Sequence, residues 1–484
     1  MPSRPLRDSS PQEHRRAILL SVQLPGIDDE EHQASVRELE RLVSTLGYEV
    51  LLTISQKRDS LAPAAVLGEG KLAELAELTG GTGKTNMTLP KRKDKARQRR
   101  EATERESSRH VGAATDEDEG DEDDEKEGHK KEAREKEARF ELIAVDHDIT
   151  PSQARNLERA TGVTVLDRTG VIVEIFHRHA RSREAKLQVE IARLNYTAPR
   201  VRESPHGKER QQGRGSGEAA LELDRRKIRD RVAELHRELL AVQKEQDNRR
   251  AHRREARRVA LVGYTNAGKS SLMRGLTGSS VLVEDKLFAT LDTTVRALHP
   301  EVRPRILVSD TVGFIKKLPH DLVASFKSTL DEALEASLLV HVVDASDPTF
   351  PSQYQVTRDV LEEIGVADAP SLLVLNKADL VDPARAALLR GSYPGALLVS
   401  AHEARGIAEV RAAILHFFEA TYEEEVFFVP YAEQARIAEM HGVAHVVEET
   451  YEDLGARVRV RADRKLLDRL ARKLGAPRQS NAPP

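Results

Sequence analysis

Apolar positions fall into short blocks whose spacing switches between strand and helix periods. Residues 17–24 (AILLSVQL) make an apolar run of strand length. Over 34–46, Val36, Leu39, Leu42, Val43 and Leu46 share one helical stripe, and 49–54 returns as a second strand. Strand, helix, strand in that order predicts a parallel α/β unit. Leu67-Gly68-Glu69-Gly70-Lys71 reads as the opening of a helix over 72–78 in preference to an anion-binding turn, because short glycine patterns are weak signals. From about 80 to 138 apolar residues almost vanish, with a basic block at 91–100 and an acidic block at 116–127. Such a stretch cannot bury enough surface to offset its ordering entropy and is expected to be disordered; solvation is a sufficient reading of its charges. Apolar runs resume at 141–145, a helix opens at 150–156 (TPSQARN), and 162–166 and 171–175 read as strands on either side of Asp167-Arg168-Thr169-Gly170. The insert 80–138 therefore interrupts one N-terminal domain, 17–180, preceded by a disordered tail, 1–16.

Two long helical stretches follow, 181–196 and 221 to about 257. In the second, Leu221, Ile228, Leu235 and Val242 recur every seven residues, with Val232 and Leu239 filling the stripe. They predict a helical hairpin over 181–257. Its loop, 203–217, and the arginine-rich run 249–258 are either solvated ends or phosphate contacts, and charge alone leaves the two readings level. Buried strand candidates at 259–262, 305–308, 338–343, 371–375 and 397–399 then define a domain over 258–421. Beyond it, 422–475 reads as a small α+β domain, with strands at 426–429, 443–448 and 456–461 and helices at 433–440 and 464–474; 476–484 is a tail. His441, His445 and Tyr451 there read as surface or packing residues.

Composition narrows the classes. At 484 residues the chain needs several cores. It has no cysteine, which excludes disulfides and thiolate metal sites. No run approaches the roughly 18 apolar residues of a spanning helix, so the expectation is a soluble, cytoplasmic protein. With 32% charged residues the net charge of -4 averages over opposed blocks, and 4% aromatics with no Trp argue against a base-stacking platform.

The chemistry concentrates at Gly263-Tyr264-Thr265-Asn266-Ala267-Gly268-Lys269-Ser270, which fits G-x-x-x-x-G-K-[ST] and follows a predicted strand. Backbone N–H groups of such a loop close around phosphates at a helix N-terminus. Lys269 would bridge the β- and γ-phosphates and Ser270 would hold Mg²⁺. Gly80-Gly81-Thr82-Gly83-Lys84-Thr85 ends in G-K-T, but Leu78 stands where the first glycine is needed and a helix precedes it, so it is rejected. Phe288-Ala289-Thr290-Leu291-Asp292-Thr293-Thr294 offers a threonine for the Mg²⁺ shell, with Thr290 preferred and Thr293 and Thr294 open. Asp310-Thr311-Val312-Gly313 ends a strand; Asp310 would reach Mg²⁺ through water, and the Gly313 N–H would touch the γ-phosphate. Asn376-Lys377-Ala378-Asp379 ends another, and the Asp379 carboxylate can accept from N1–H and the 2-amino group of guanine, which adenine does not present. Ser400-Ala401-His402 would supply an N–H to guanine O6. Phe314 stands where a water-orienting Gln is often found, so hydrolysis is expected to be slow without a partner.

These motifs resemble those of the HflX-type GTPases, of the Obg/HflX group in the translation-factor-related class. GYTNAGKS, LFATLDTT, DTVGFI, NKAD and SAH carry the nucleotide-site part of the resemblance. GEGK at Gly68, SQARNLE at Ser152, DRTGVIVEIF at Asp167, REAKLQVE at Arg183 and SGEAALELDRR at Ser216 extend it beyond that domain. The fold implied is α/β: a P-loop GTPase domain with an N-terminal α/β domain, a helical hairpin and a small C-terminal α+β domain. The resemblance implies a monomeric, Mg²⁺-dependent GTPase with Lys269, Thr290 and Gly313 in catalytic roles. It also implies association with the 50S ribosomal subunit through the N-terminal and helical parts, with rRNA phosphates as the target of the basic loop, and dissociation of stalled ribosomes. From the residues alone, a switch acting on a protein partner remains the alternative.

Overall fold

The structure, a computed structural model, describes residues 15–62, 64–83, 140–200, 216–251, 257–278, 287–288, 294–316, 333–366 and 368–474. The expected tails, the insert beyond residue 83 and most of the glycine-rich loop lie outside the described residues. The chain divides into two compact units, Met1–Ile172 and Val173–Pro484.

The first unit is built on a four-stranded parallel sheet in the order β2-β1-β3-β4. Strand β1 (Arg15–Gln23) pairs with β2 (Tyr48–Lys57) and β3 (Phe140–Val145), and β3 pairs with β4 (Thr164–Asp167). Helix α1 (Asp29–Thr45) makes the β1–β2 crossover and is capped by the Asp28 carboxylate, which accepts from Glu31 N. Ile18, Leu20 and Val22 face a core with Leu72 and Leu75 of α2 (Glu69–Thr79) and Leu157 of α3 (Pro151–Thr161). Thr150 and Gln153 form a capping box at the start of α3.

The rejected glycine cluster serves packing. Gly80 ends α2 at φ +71°, Gly83 N donates to Ala160 O, and a Cβ on Gly81 would lie 2.2 Å from that same carbonyl. Residues 80–83, assigned by sequence to the disordered insert, thus belong to the fold.

A second difference concerns 171–175, expected as a strand. These residues lie in α4 (Arg168–His179). The Asp167 carboxylate accepts from Gly170 N at 2.8 Å, an N-cap hidden inside the apparent turn. Val171, Ile172, Val173, Ile175 and Phe176 are all buried, and the polar stripe of Glu174, His177 and Arg178 shows its helical spacing only toward the end of the helix, so residues 171–175 by themselves read as a strand. Its first residue, Arg168, is 1% exposed and pairs with Asp146 at 2.6 Å and with Glu38.

In the second unit, α5 (Arg183–Thr197) packs on α6 (Ser216–Ala251) through Leu187, Ile191, Leu235, Leu239 and Val242, the stripe legible in the heptad spacing. Helix α6 ends at Ala251, and Arg257 and Arg258, expected at the helix end, open β5 (Arg257–Val262). The six-stranded sheet has the order β10-β9-β8-β5-β7-β6. Here β6 (Thr294–Ala297) runs antiparallel to β7 (Ile306–Asp310), while β8 (Leu338–Asp344), β9 (Ser371–Asn376) and β10 (Leu397–Leu398) continue the parallel set. Helix α7 (Lys269–Thr277) lies against β5 and β7, α8 (Phe350–Glu363) against β8, and α9 (Pro383–Ser392) and α10 (Ala404–Glu419) complete the layers.

The C-terminal part is a three-stranded antiparallel sheet in the order β11-β13-β12, made of β11 (Glu423–Pro430), β12 (His445–Glu452) and β13 (Gly455–Ala462). Its core is closed by α11 (Ala435–Val443) and α12 (Arg464–Leu474). His441 and Tyr451 both bond Glu449 on this surface. No helix among the described residues is long and apolar enough to cross a membrane.

Candidate functional site

Four chain segments converge at the carboxyl ends of β5, β7 and β9 and just past β10, where ligands of open α/β sheets bind. The loop after β5 folds as it does because of two glycines. Gly263 sits at φ +151° with Val342 O where its Cβ would be, 2.1 Å away, and Gly268 sits at φ +92° with Asn376 Nδ2 2.2 Å from that position. No other residue type fits either place. Backbone bonds Thr265 N to Phe314 O (2.8 Å) and Phe314 N to Gly263 O (3.1 Å) stitch the loop to the segment leaving β7. The Tyr264 hydroxyl accepts from Lys316 N at 2.6 Å.

Lys269 begins α7, and its Nζ turns back to donate to Gly263 O (3.1 Å) and Tyr264 O (2.8 Å). Burial pushes its pKa down to about 8, against a weaker upward pull from Asp310. Among the described residues this buried ammonium is held by two carbonyls, and it is poised to pair with an anion. Ser270 Oγ donates to Asp310 Oδ2 at 2.7 Å. A hydroxyl beside a buried carboxylate is an oxygen donor set that suits Mg²⁺, which takes few protein ligands and keeps water and phosphate for the rest. No group of three or more His, Cys, Asp or Glu that could hold a metal occurs among the described residues.

Of the other sequence-chosen positions, Asp310 and Thr311 are fully buried, and Thr311 Oγ1 donates to Leu261 O at 2.7 Å. A Cβ on Gly313 would lie 2.8 Å from Thr265 Cγ2 and 3.0 Å from Lys269 Nζ, so this backbone closes directly over the phosphate loop. Phe314 is buried with Ala260, Val262 and Leu339, its ring in the apolar core. Phe288 is buried as well, while Ala289, Thr290, Leu291, Asp292 and Thr293 lie outside the described residues.

Asn376 joins the two ends of the site. Its Nδ2 donates to Ala267 O in the phosphate loop (2.9 Å), and its Oδ1 accepts from Ala401 N (2.9 Å). Asp379 stands exposed on a short 3-10 turn, Ala378–Leu380, anchored by Ala378 N to Val399 O. Ser400 Oγ accepts from His402 N, and Gly406 is required beneath it because a Cβ would lie 2.6 Å from Ser400 O.

Sequence reasoning missed Asp344, whose carboxylate at the end of β8 pairs with Lys377 Nζ at 2.7 Å and holds that residue at φ +62°. The signal available was a carboxylate ending a buried apolar run, VVD. It also missed Phe176, which contacts Phe288.

Comparisons with known proteins fit this geometry. Residues 258–377 match the family described as 50S ribosome-binding GTPase, 179–253 the GTP-binding GTPase middle region, and 33–104 with 127–177 the GTP-binding GTPase N-terminal family. The chain is 58% identical over 460 residues to the GTPase HflX of Gluconacetobacter diazotrophicus, covering 95% of this chain and 98% of that one. It is 35% identical over 407 residues to the GTPase HflX of Escherichia coli K12, covering 82% of each. A GTP-binding protein from Sulfolobus solfataricus, crystallised with GDP, aligns over 83% of this chain and 99% of that chain at 21% identity, with a TM-score of 0.40.

Proposed function

The chain belongs to the HflX family of GTPases, and from that premise we propose that it couples GTP hydrolysis to binding of the 50S ribosomal subunit and to dissociation of stalled ribosomes. It binds GTP and GDP and hydrolyses GTP. What carries the finer reading is the order of three family matches along one chain, among them the one described as 50S ribosome-binding.

The residues divide the work by position. Lys269 exchanges its loop carbonyls for phosphate oxygens, and the Gly313 N–H meets the γ-phosphate. Ser270 and Thr290 would ligate Mg²⁺ directly and Asp310 through water. A Mg²⁺ held there would supply neutralisation of the negative charge on the phosphates. Asp379 reads the guanine N1–H and 2-amino group, and the Ala401 N–H, which donates to Asn376 Oδ1 in this structure, would be shared with O6 when guanine binds. The Phe314 ring is committed to the core, so no side chain at that position orients the attacking water. Turnover therefore waits for a group supplied by the large subunit. The protein acts as a monomer in the cytoplasm.

The test is sedimentation of ribosomes with the purified full chain and a non-hydrolysable GTP analogue, alongside hydrolysis rates with and without large subunits. Co-sedimentation, stimulated turnover and a steep loss of binding between low and moderate salt are expected, because phosphate contacts release counterions. Absence of both binding and stimulation overturns the reading. Asp379→Asn should shift preference from guanosine to xanthosine nucleotides, and unchanged preference would remove Asp379 from its role.

A further inference from the structure

Lys377 holds φ +62°, in the left-handed region that residues other than glycine rarely adopt. Such a conformation persists only where its surroundings over-determine it. The backbone on either side is fixed: Ala345 N donates to Asn376 O at 2.9 Å, and Ala378 N donates to Val399 O at 3.1 Å. The side chain is fixed by Asp344, which pairs in register with Asn376 at the ends of β8 and β9 and whose Oδ2 lies 2.7 Å from Lys377 Nζ. The carboxylate is itself held, because its Oδ1 accepts from Ser346 N (2.9 Å) and from Ser346 Oγ (2.5 Å). The side chains of Asp344 and Lys377 are 18% and 22% exposed, so water and salt screen this pair less than a surface one. Directly after Lys377 comes the 3-10 turn Ala378–Leu380 that carries Asp379.

We propose that Asp344 is a positioning residue for the guanine base: by holding Lys377 it sets the turn that presents Asp379, and so it controls guanine affinity and the preference for guanine over adenine. The proposal rests on the reading of Asp379 as the base reader, and Asp344 itself needs no contact with nucleotide. A carboxylate that must accept from two N–H groups of one base discriminates only while its position is kept, and a loosened turn leaves the ordering to be done at the binding step. Both oxygens of Asp344 are in use as acceptors, one toward Ser346 and one toward Lys377. An amide of the same shape offers one acceptor and one donor, so it cannot replace the carboxylate. Adenine gains nothing from Asp379, and the phosphate loop is stitched to Phe314 by bonds that do not involve Asp344. Loss of Asp344 therefore falls on guanine binding and spares the hydrolysis step.

The experiment uses the full chain with Asp344→Asn and Lys377→Met, singly and together, reading affinity for GDP and for ADP, and kcat and KM for GTP. Asp344→Asn is expected to lower GDP affinity and raise KM roughly five- to thirtyfold, the scale of one charge-assisted hydrogen bond partly open to water. ADP affinity and kcat should hold within about twofold, which also reports an intact fold and phosphate site. Ser346→Ala should move GDP affinity and KM in the same direction by less, and the double variant should lose less than the product of the two single losses. Equal losses for GDP and ADP, a fall in kcat at unchanged KM, additive losses, or no change overturn the inference. Asp379→Ala runs beside them. If it leaves the preference for GDP over ADP in place, the reading of Asp379 fails and takes the role of Asp344 with it. If it removes that preference while Asp344→Asn does not, only the role of Asp344 fails.

Discussion

Lys269 shows how burial sets up binding at the scale of one side chain. With its pKa pushed down to about 8, the ammonium is charged below that pH and loses its proton above it. Phosphate binding needs the charged form, so nucleotide affinity should fall as pH rises beyond about 8, approaching tenfold per unit; a fluorescent GDP titration from pH 7 to 10 checks it, and a flat profile would refute it. Stability moves the other way. The unfolded chain holds this proton up to about 10.5, so the nucleotide-free fold gains stability as pH rises from about 8 toward that value. Gly313→Ala places a Cβ 2.9 Å from Thr265 Cα and 3.0 Å from Lys269 Nζ. Turnover should drop at least about tenfold, the scale on which a displaced reacting group is felt, measured as single-turnover phosphate release. Residues whose backbone must take one conformation are easy to read in sequence: Gly263 and Gly268 announce the loop. Asp344 and Phe176 were not legible, because an ion pair to Lys377 and a ring contact to Phe288 depend on which segments the fold brings together.

Among the elements, β8 carries an unusual buried side chain. His341 pairs in register with Val262 and Leu373, stacks edge-on against Tyr354 of α8, and is 5% exposed. Burial, with Arg358 adding to it, lowers its pKa to about 4. The unfolded chain takes up this proton near pH 6.5 and the fold does not until about 4, so stability is full above pH 6.5 and falls as pH drops toward 4, by roughly 3 kcal/mol over that window. Urea melts between pH 4 and 7 should show this slope, and His341→Phe should flatten it. The parallel strands of both sheets were legible because short apolar runs alternate with amphipathic helices such as α1. Helix α4 was not, since its buried first half presents the same short apolar run as a strand and its polar positions, Glu174, His177 and Arg178, come late. Its boundary lay in Asp167, whose carboxylate cap on Gly170 N is visible only once the turn is known to be helical. Asp167→Ala should cost about 1–2 kcal/mol, read by chemical denaturation.

For the molecule as a whole, guanine nucleotide acts as a ligand of the native state only. GDP at about 100 times its Kd should add about 2.7 kcal/mol to the stability of the second unit, while ATP at the same concentration should leave the melting curve in place. Equal shifts from both would contradict the role of Asp379. The size of that response depends on one amide. Asn376 holds Ala267 O with one atom and Ala401 N with the other, so the floor under the phosphates and the wall beside the base share a single rigid plate. Two fragments, guanosine and pyrophosphate, would then not be strangers in this cleft: whichever arrives first squares the plate for the second, and each should bind more tightly in the other's presence than alone.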